Sequence, residues 1–114
     1  MTYEQLVEKV KKLTEGMRVS KDIGHIAYQF NVEGEAEGAF YIELDNGKVN
    51  VEPYEYYDRN VLIITSAEMI IKVLEGKTNP MEAYANGELR AYGEVEQLKL
   101  LPTCSESKNK RKKK

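Results

Sequence analysis

One cysteine, one histidine, three prolines and no tryptophan among 114 residues remove several kinds of protein from consideration. With Cys104 alone, no intrachain disulfide can form and no zinc site can be built from cysteine pairs, which fits a reducing compartment. His25 is the single imidazole, and no Gly-x-Ser-x-Gly turn accompanies it. A nucleophile and a general base therefore cannot be paired, and the chain reads as a non-enzyme with His25 exposed or structural and Cys104 an inert thiol. Long apolar stretches are also missing. The longest unbroken run, residues 61–64, is far too short to span a bilayer, and Thr2-Tyr3-Glu4-Gln5 is no signal core. The final residues are lysines, where a peroxisomal address would read Ser-Lys-Leu. The expected location is the cytoplasm.

Metal and phosphate chemistry are equally poorly served. Glu33 with Glu35, and Glu94 with Glu96, read as solvated faces, because no third ligand is spaced to complete a site. No metal and no cofactor are expected. Gly34, Gly38 and Gly47 lead into no Gly-Lys-Ser/Thr, and Gly76-Lys77-Thr78 is better read as a helix stop than as a phosphate loop. Nineteen acidic residues against 17 basic ones give a net charge of −2. Six of the basic ones, Lys108, Lys110, Arg111, Lys112, Lys113 and Lys114, are clustered, so setting them aside leaves −8 for the rest. An acidic body argues against nucleic acid as the partner.

What is present is a legible series of elements. Thr2 and Gln5 form a capping box ahead of Leu6, Val10, Leu13 and Met17 at helical spacing, interrupted by Gly16. From Ile26 the period becomes two, with Ile26, Tyr28, Phe30 and Val32 on one face of a first strand. Phe40, Ile42 and Leu44 mark a second strand, Asp45-Asn46-Gly47 a tight hairpin, and Val49 and Val51 a third strand that Pro53 ends. Residues 54–59 read as a polar, aromatic surface connection. Residues 61–64 are apolar on both faces and predict an interior strand.

Residues 66–101 carry the densest signals. Ser66 caps a helix with Met69, Ile70, Val73 and Leu74 on one stripe, and Gly76 stops it. Asn79-Pro80 starts a second, shorter helix that Gly87 closes, residues 89–92 read as a strand, and Val95, Leu98 and Leu101 share a face of a last helix ended by Pro102. The expected organisation is one domain over residues 1–103 and a disordered basic tail over 104–114.

The order Gly76-Lys77, Asn79-Pro80, Ala83-Tyr84, Gly87, Leu89, Gly93 and Leu98-Lys99-Leu100, with residues 40–48 and 60–66 upstream, resembles the sterol carrier protein type-two family. The resemblance covers roughly residues 26–101. It implies an α/β (α+β) fold: a single-layer five-stranded mixed sheet, helices packed on one face, and an apolar tunnel between them. Met69, Met81 and Met17 suit either an adaptable cavity or an ordinary core by composition. The resemblance places Met69, Val73, Tyr84 and Leu89 on the tunnel, with Met81 lining it too. Leu98 and Leu101 resemble a lid, and Phe40 an aromatic wall where the family usually has tryptophan. Asn60, Glu88 and Glu94-Val95 depart from the family pattern, as does the early onset of basic residues after Pro102.

What the resemblance implies for function is non-catalytic binding and transfer of a lipid: a fatty acyl chain, a sterol-like molecule or another long apolar ligand. The alternative is an accessory protein presenting lipid intermediates to a lipid-modifying or coenzyme-biosynthetic enzyme. The basic run from Lys108 to Lys114 is read as a solvated tail with transient anionic membrane contact as its functional role.

Overall fold

A computed structural model describes residues 1–104. Five strands form one mixed sheet in the order β3-β2-β1-β4-β5: β1 His25–Glu33, β2 Gly38–Asp45, β3 Lys48–Glu52, β4 Val61–Ser66 and β5 Arg90–Gly93. β1 pairs antiparallel with β2 and parallel with β4, and the two outer pairs are antiparallel. The hairpin between β2 and β3 closes through Asn46 at φ 52° and Gly47 at φ 92°, the left-handed backbone that Asn-Gly tolerates best.

Helices α1 Tyr3–Thr14, α2 Ala67–Leu74 and α3 Pro80–Ala85 begin where the caps predict. Thr2 and Gln5 make the reciprocal capping box, Ser66 accepts from the Met69 amide, and Asn79 accepts from those of Met81 and Glu82. A short 3-10 turn at Lys21–Ile23, not foreseen, is capped by Ser20. Alternation along the strands directs Ile26, Tyr28, Phe30 and Val32, with Phe40, Ile42 and Leu44, into the core. Leu6, Val7 and Val10 of α1 and Ile70, Val73 and Leu74 of α2 close the other side of that core.

Three details differ from the sequence reading. The last strand runs Arg90–Gly93, one residue later than expected, because Gly93 pairs with Val61 and the Glu94 amide donates to the Asn60 carbonyl at 2.9 Å. The final helix, Val95–Leu100, is 3-10. Its N-cap Glu94 provides no side-chain hydrogen bond, and the Gln97 and Leu101 amides reach back three residues, to Glu94 and Leu98. The connection over residues 53–60 is a strap: Tyr57 is 92% exposed, but the Tyr56 amide donates to Gln29 Oε1 and helps bury Gln29 to 3% exposure.

Asn60 fastens this strap to the sheet. Its amide donates to the Ala27 carbonyl, its Oδ1 accepts from the Ala27 amide, and its Nδ2 donates to Glu94 Oε2. Asparagine at this departure from the family pattern thus ties β1 to the start of the last segment. Cys104 is also part of the folded body: its amide donates to the Leu74 carbonyl and its thiol to the Leu13 carbonyl. The body therefore reaches at least one residue past the expected boundary, and the rest of the expected tail, residues 105–114, lies outside the described residues.

Candidate functional site

The sheet presents one continuous apolar face to the helices. β1, β2 and β4 contribute it from alternate positions, and Phe30 and Phe40, opposite each other in register, stack with centroids 4.9 Å apart and planes 6° apart. Ile70, Val73 and Leu74 from α2, Ala83 from α3 and Leu98 from the 3-10 segment meet that face.

The eight residues assigned to the site from sequence fall into three groups. Phe40, Val73, Leu89, Leu98 and Leu101 belong to the buried core, with Phe40 and Leu98 fully enclosed. Met69 and Met81 are partly buried and pack against it. Tyr84 stands apart at 37% exposure, on the solvent side of α3. Helical geometry explains the split: Ala83 takes the inward position of this six-residue helix, so its neighbour faces out.

Polar ties hold the helical layer to the sheet. The Tyr28 hydroxyl donates to the Gln97 carbonyl at 2.8 Å, which fixes the 3-10 segment over β1. Burial pushes that hydroxyl far above its usual ionisation range, so the donor keeps its proton. Thr65 Oγ1 donates to the Glu88 carbonyl at 3.2 Å, anchoring the turn after α3. Sequence inspection missed Tyr28: alternation marked it as inward, but nothing local says where its hydroxyl goes.

Clefts open at both ends of α2. One, of about 780 Å³, lies among residues 16–20, the helix stop and start at 76–80, and residues 99–103, with Leu101 in its wall. The other, of about 410 Å³, has Ala36, Ala67 and Ile71 in its wall and Glu33, Glu35 and Glu68 around it. A third, of about 630 Å³, separates the last turn of α1 from β3. Of the eight predicted site residues, Leu101 is the one that lines any of these three clefts.

The outer face of the sheet holds a polar cluster that the sequence reading did not assemble. His25 Nε2 lies 2.7 Å from Glu43 Oε2, the Tyr56 hydroxyl lies 3.0 Å from each, and Asn50 Nδ2 donates to Glu43 Oε1 at 3.2 Å. Burial opposes ionisation of Glu43, but hydrogen bonds from His25, Asn50 and Tyr56, with the attraction of His25, outweigh it and hold the carboxyl below its usual range. The strand register could have shown His25 and Glu43 to be diagonal neighbours; Tyr56, on the strap, left no periodic signal. Among the described residues no group of three or more His, Cys, Asp or Glu could hold a metal ion, and no helix is long and apolar enough to cross a membrane.

Comparison with known proteins puts this architecture in context. The family model described as the SCP-2 sterol transfer family matches residues 4–102. No curated protein matches. Among solved structures, "UbiJ-SCP2 Ubiquinone synthesis protein" superposes with a TM-score of 0.62 at 12% identity, covering 85% of this chain and 86% of that one. Sterol Carrier Protein 2 from Yarrowia lipolytica, in its apo form, gives 0.52 at 19% identity over 85% and 70%. Sterol Carrier Protein 2 Like 2 from Aedes aegypti gives 0.57 at 13% identity over 86% and 94%.

Proposed function

The chain belongs to the SCP-2 sterol transfer family, and we propose from this premise that it binds and transfers a lipid, an acyl chain, sterol-like molecule or other long apolar ligand, between the sheet and the helices. The observation that carries the reading is the apolar layer under α2, α3 and the 3-10 segment, which gathers seven of the eight predicted site residues. Its mechanism is sequestration without covalent chemistry. Each methylene removed from water contributes about 0.8 kcal/mol, so a chain of modest length accumulates useful affinity.

Entry requires a movable wall. The Val95–Leu100 segment suits that role, since a 3-10 helix has poorer hydrogen-bond geometry than an α-helix and this one lacks a side-chain cap. Met69 and Met81, half-buried at its neighbours' edge, can reshape around a guest. Phe40, stacked on Phe30, forms the rigid wall opposite. The basic residues from Lys108 to Lys114 would assist loading at anionic membranes, at about 1 kcal/mol per charge near such a surface.

The test is uptake of a fluorescent fatty acid by Leu98→Asp and Met69→Asp, each checked for folding by circular dichroism. Loss of uptake in a folded variant supports the site; normal uptake by both refutes it. Because Leu98 is fully buried and Met69 only partly so, Met69→Asp keeps the test meaningful where Leu98→Asp unfolds. A second reading, an accessory protein for a lipid-modifying enzyme, draws on the fold shared with a ubiquinone synthesis protein. Capture of such an enzyme by a chain purified without lipid would favour it.

A further inference from the structure

The strap over residues 53–60 makes the outer face of the sheet unlike the rest of the surface. Tyr56 is held by Gln29, His25 and Glu43, and its ring meets that of Tyr41 edge-on, with centroids 4.9 Å apart. Beside it Tyr54 and Tyr57 are 65% and 92% exposed. Glu43 and Glu52 act on Tyr41, and Glu43 and Asp58 on Tyr56; Asp45 shares the outward positions of β2 and Glu55 lies on the strap. Of the bases nearby, Arg59 is on the strap, Lys48 is on β3, and the Lys21 side chain packs against the hairpin at Gly47. Burial, then the charges of Glu43 and Glu52, raises the ionisation of Tyr41 above the usual range, and burial, then the hydrogen bond to Glu43 and its charge, does the same for Tyr56. Tyrosine faces ringed by carboxylates are suited to lysine and arginine side chains, through cation–π contact and ion pairing.

The chain itself supplies such side chains. Cys104 is tied to the ends of α1 and α2 through the Leu13 and Leu74 carbonyls, and the last turn of α1 faces residues 48–52 of β3 across a cleft. Ten residues follow Cys104. At about 3.3 Å each they span about 33 Å extended, while the domain measures 40 × 29 × 28 Å. At full stretch the segment is thus about as long as the domain is wide, and its basic residues start four positions beyond Cys104. We infer that residues 108–114 dock in cis on this tyrosine-rich acidic face, which withholds their charge from other anionic surfaces until one competes for it. This does not depend on the lipid reading.

The experiment compares amide chemical shifts of the full chain with those of a full-length variant carrying glutamine at Lys108, Lys110, Arg111, Lys112, Lys113 and Lys114. Docking is expected to move amides of residues 41–45 and 52–59, and the differences should fade as salt rises, since exposed pairs are screened. In a background of Glu52→Gln, Glu55→Gln and Asp58→Asn, all at exposed positions, the same comparison should show little change at the strap. Differences confined to residues 99–104, or centred on Glu82, Glu88, Glu94 and Glu96, would overturn the assignment. Differences that shrink on dilution would also overturn it, by giving the face to a second copy of the chain.

Discussion

Replacing Tyr28 by phenylalanine separates the closure of the 3-10 segment from the packing beneath it. The ring stays, fully enclosed against its neighbours, and only the hydroxyl that donates to the Gln97 carbonyl at 2.8 Å is removed. Gln97 is half-buried, so water can reach the abandoned carbonyl, and the loss is that of an ordinary hydrogen bond, about 1 kcal/mol. That free energy raises the local opening equilibrium about fivefold. Amide hydrogen exchange reads it directly: residues 97–101 should exchange about fivefold faster, while amides of β1 and β2 follow only the change in global stability. Fatty-acid uptake should quicken in step. If the segment exchanges no faster while global unfolding becomes easier, the hydroxyl holds the fold together and does not hold a gate, and the proposed entry route falls. Alkaline titration gives a second readout. The native hydroxyl ionises above its ordinary value of 10.0, so the unfolded chain loses this proton first, and stability declines as pH rises past that value. Tyr28→Phe should remove that part of the decline.

Two further outcomes test the frame around the site. At Gly93, φ is 98° and an added Cβ would sit 2.5 Å from the Asn60 carbonyl oxygen, a backbone atom. Gly93→Ala should destabilise by about 1–3 kcal/mol from conformation alone and further from the clash. Gly34→Ala, at φ 92° with nothing within 4 Å, should show the conformational part only, and equal denaturant midpoints for the two variants would contradict the close approach. Glu43, ionising below its ordinary value of 4.5, stabilises the fold above that pH and loses this contribution as pH falls through its lowered value. The stability gap between wild type and Glu43→Gln should therefore narrow below pH 4.5; a gap constant down to acid unfolding would show that the cluster carries no net charge effect.

Local signals were well written in the chain. Ser66, Asn79-Pro80 and Asp45-Asn46-Gly47 act on neighbours within a few residues, and the caps and the hairpin stand where those residues place them. The inward face of β1 was equally plain, because alternation is a property of the strand itself. What stayed hidden depends on distant partners. Gln29 alternates to the side of β1 opposite Tyr28 and Phe30, yet the strap buries it. Tyr84 looked like part of the apolar layer, and the rotation of α3 turns it to solvent. His25 looked solitary until β2 and the strap brought Glu43 and Tyr56 beside it.

The parallel pairing of β1 with β4 also shapes how the molecule is made. β1, β2 and β3 are consecutive and joined by short turns, so they can assemble during synthesis as soon as Glu52 has emerged. β4, whose place beside β1 is reached only after the strap has crossed, arrives later. Until then the flank of β1 that will carry β4 is an unpaired edge, open to strands from other copies. A chaperone that shields that flank, or a ribosome that does not pause before residue 61, would determine how much of this protein reaches its native state.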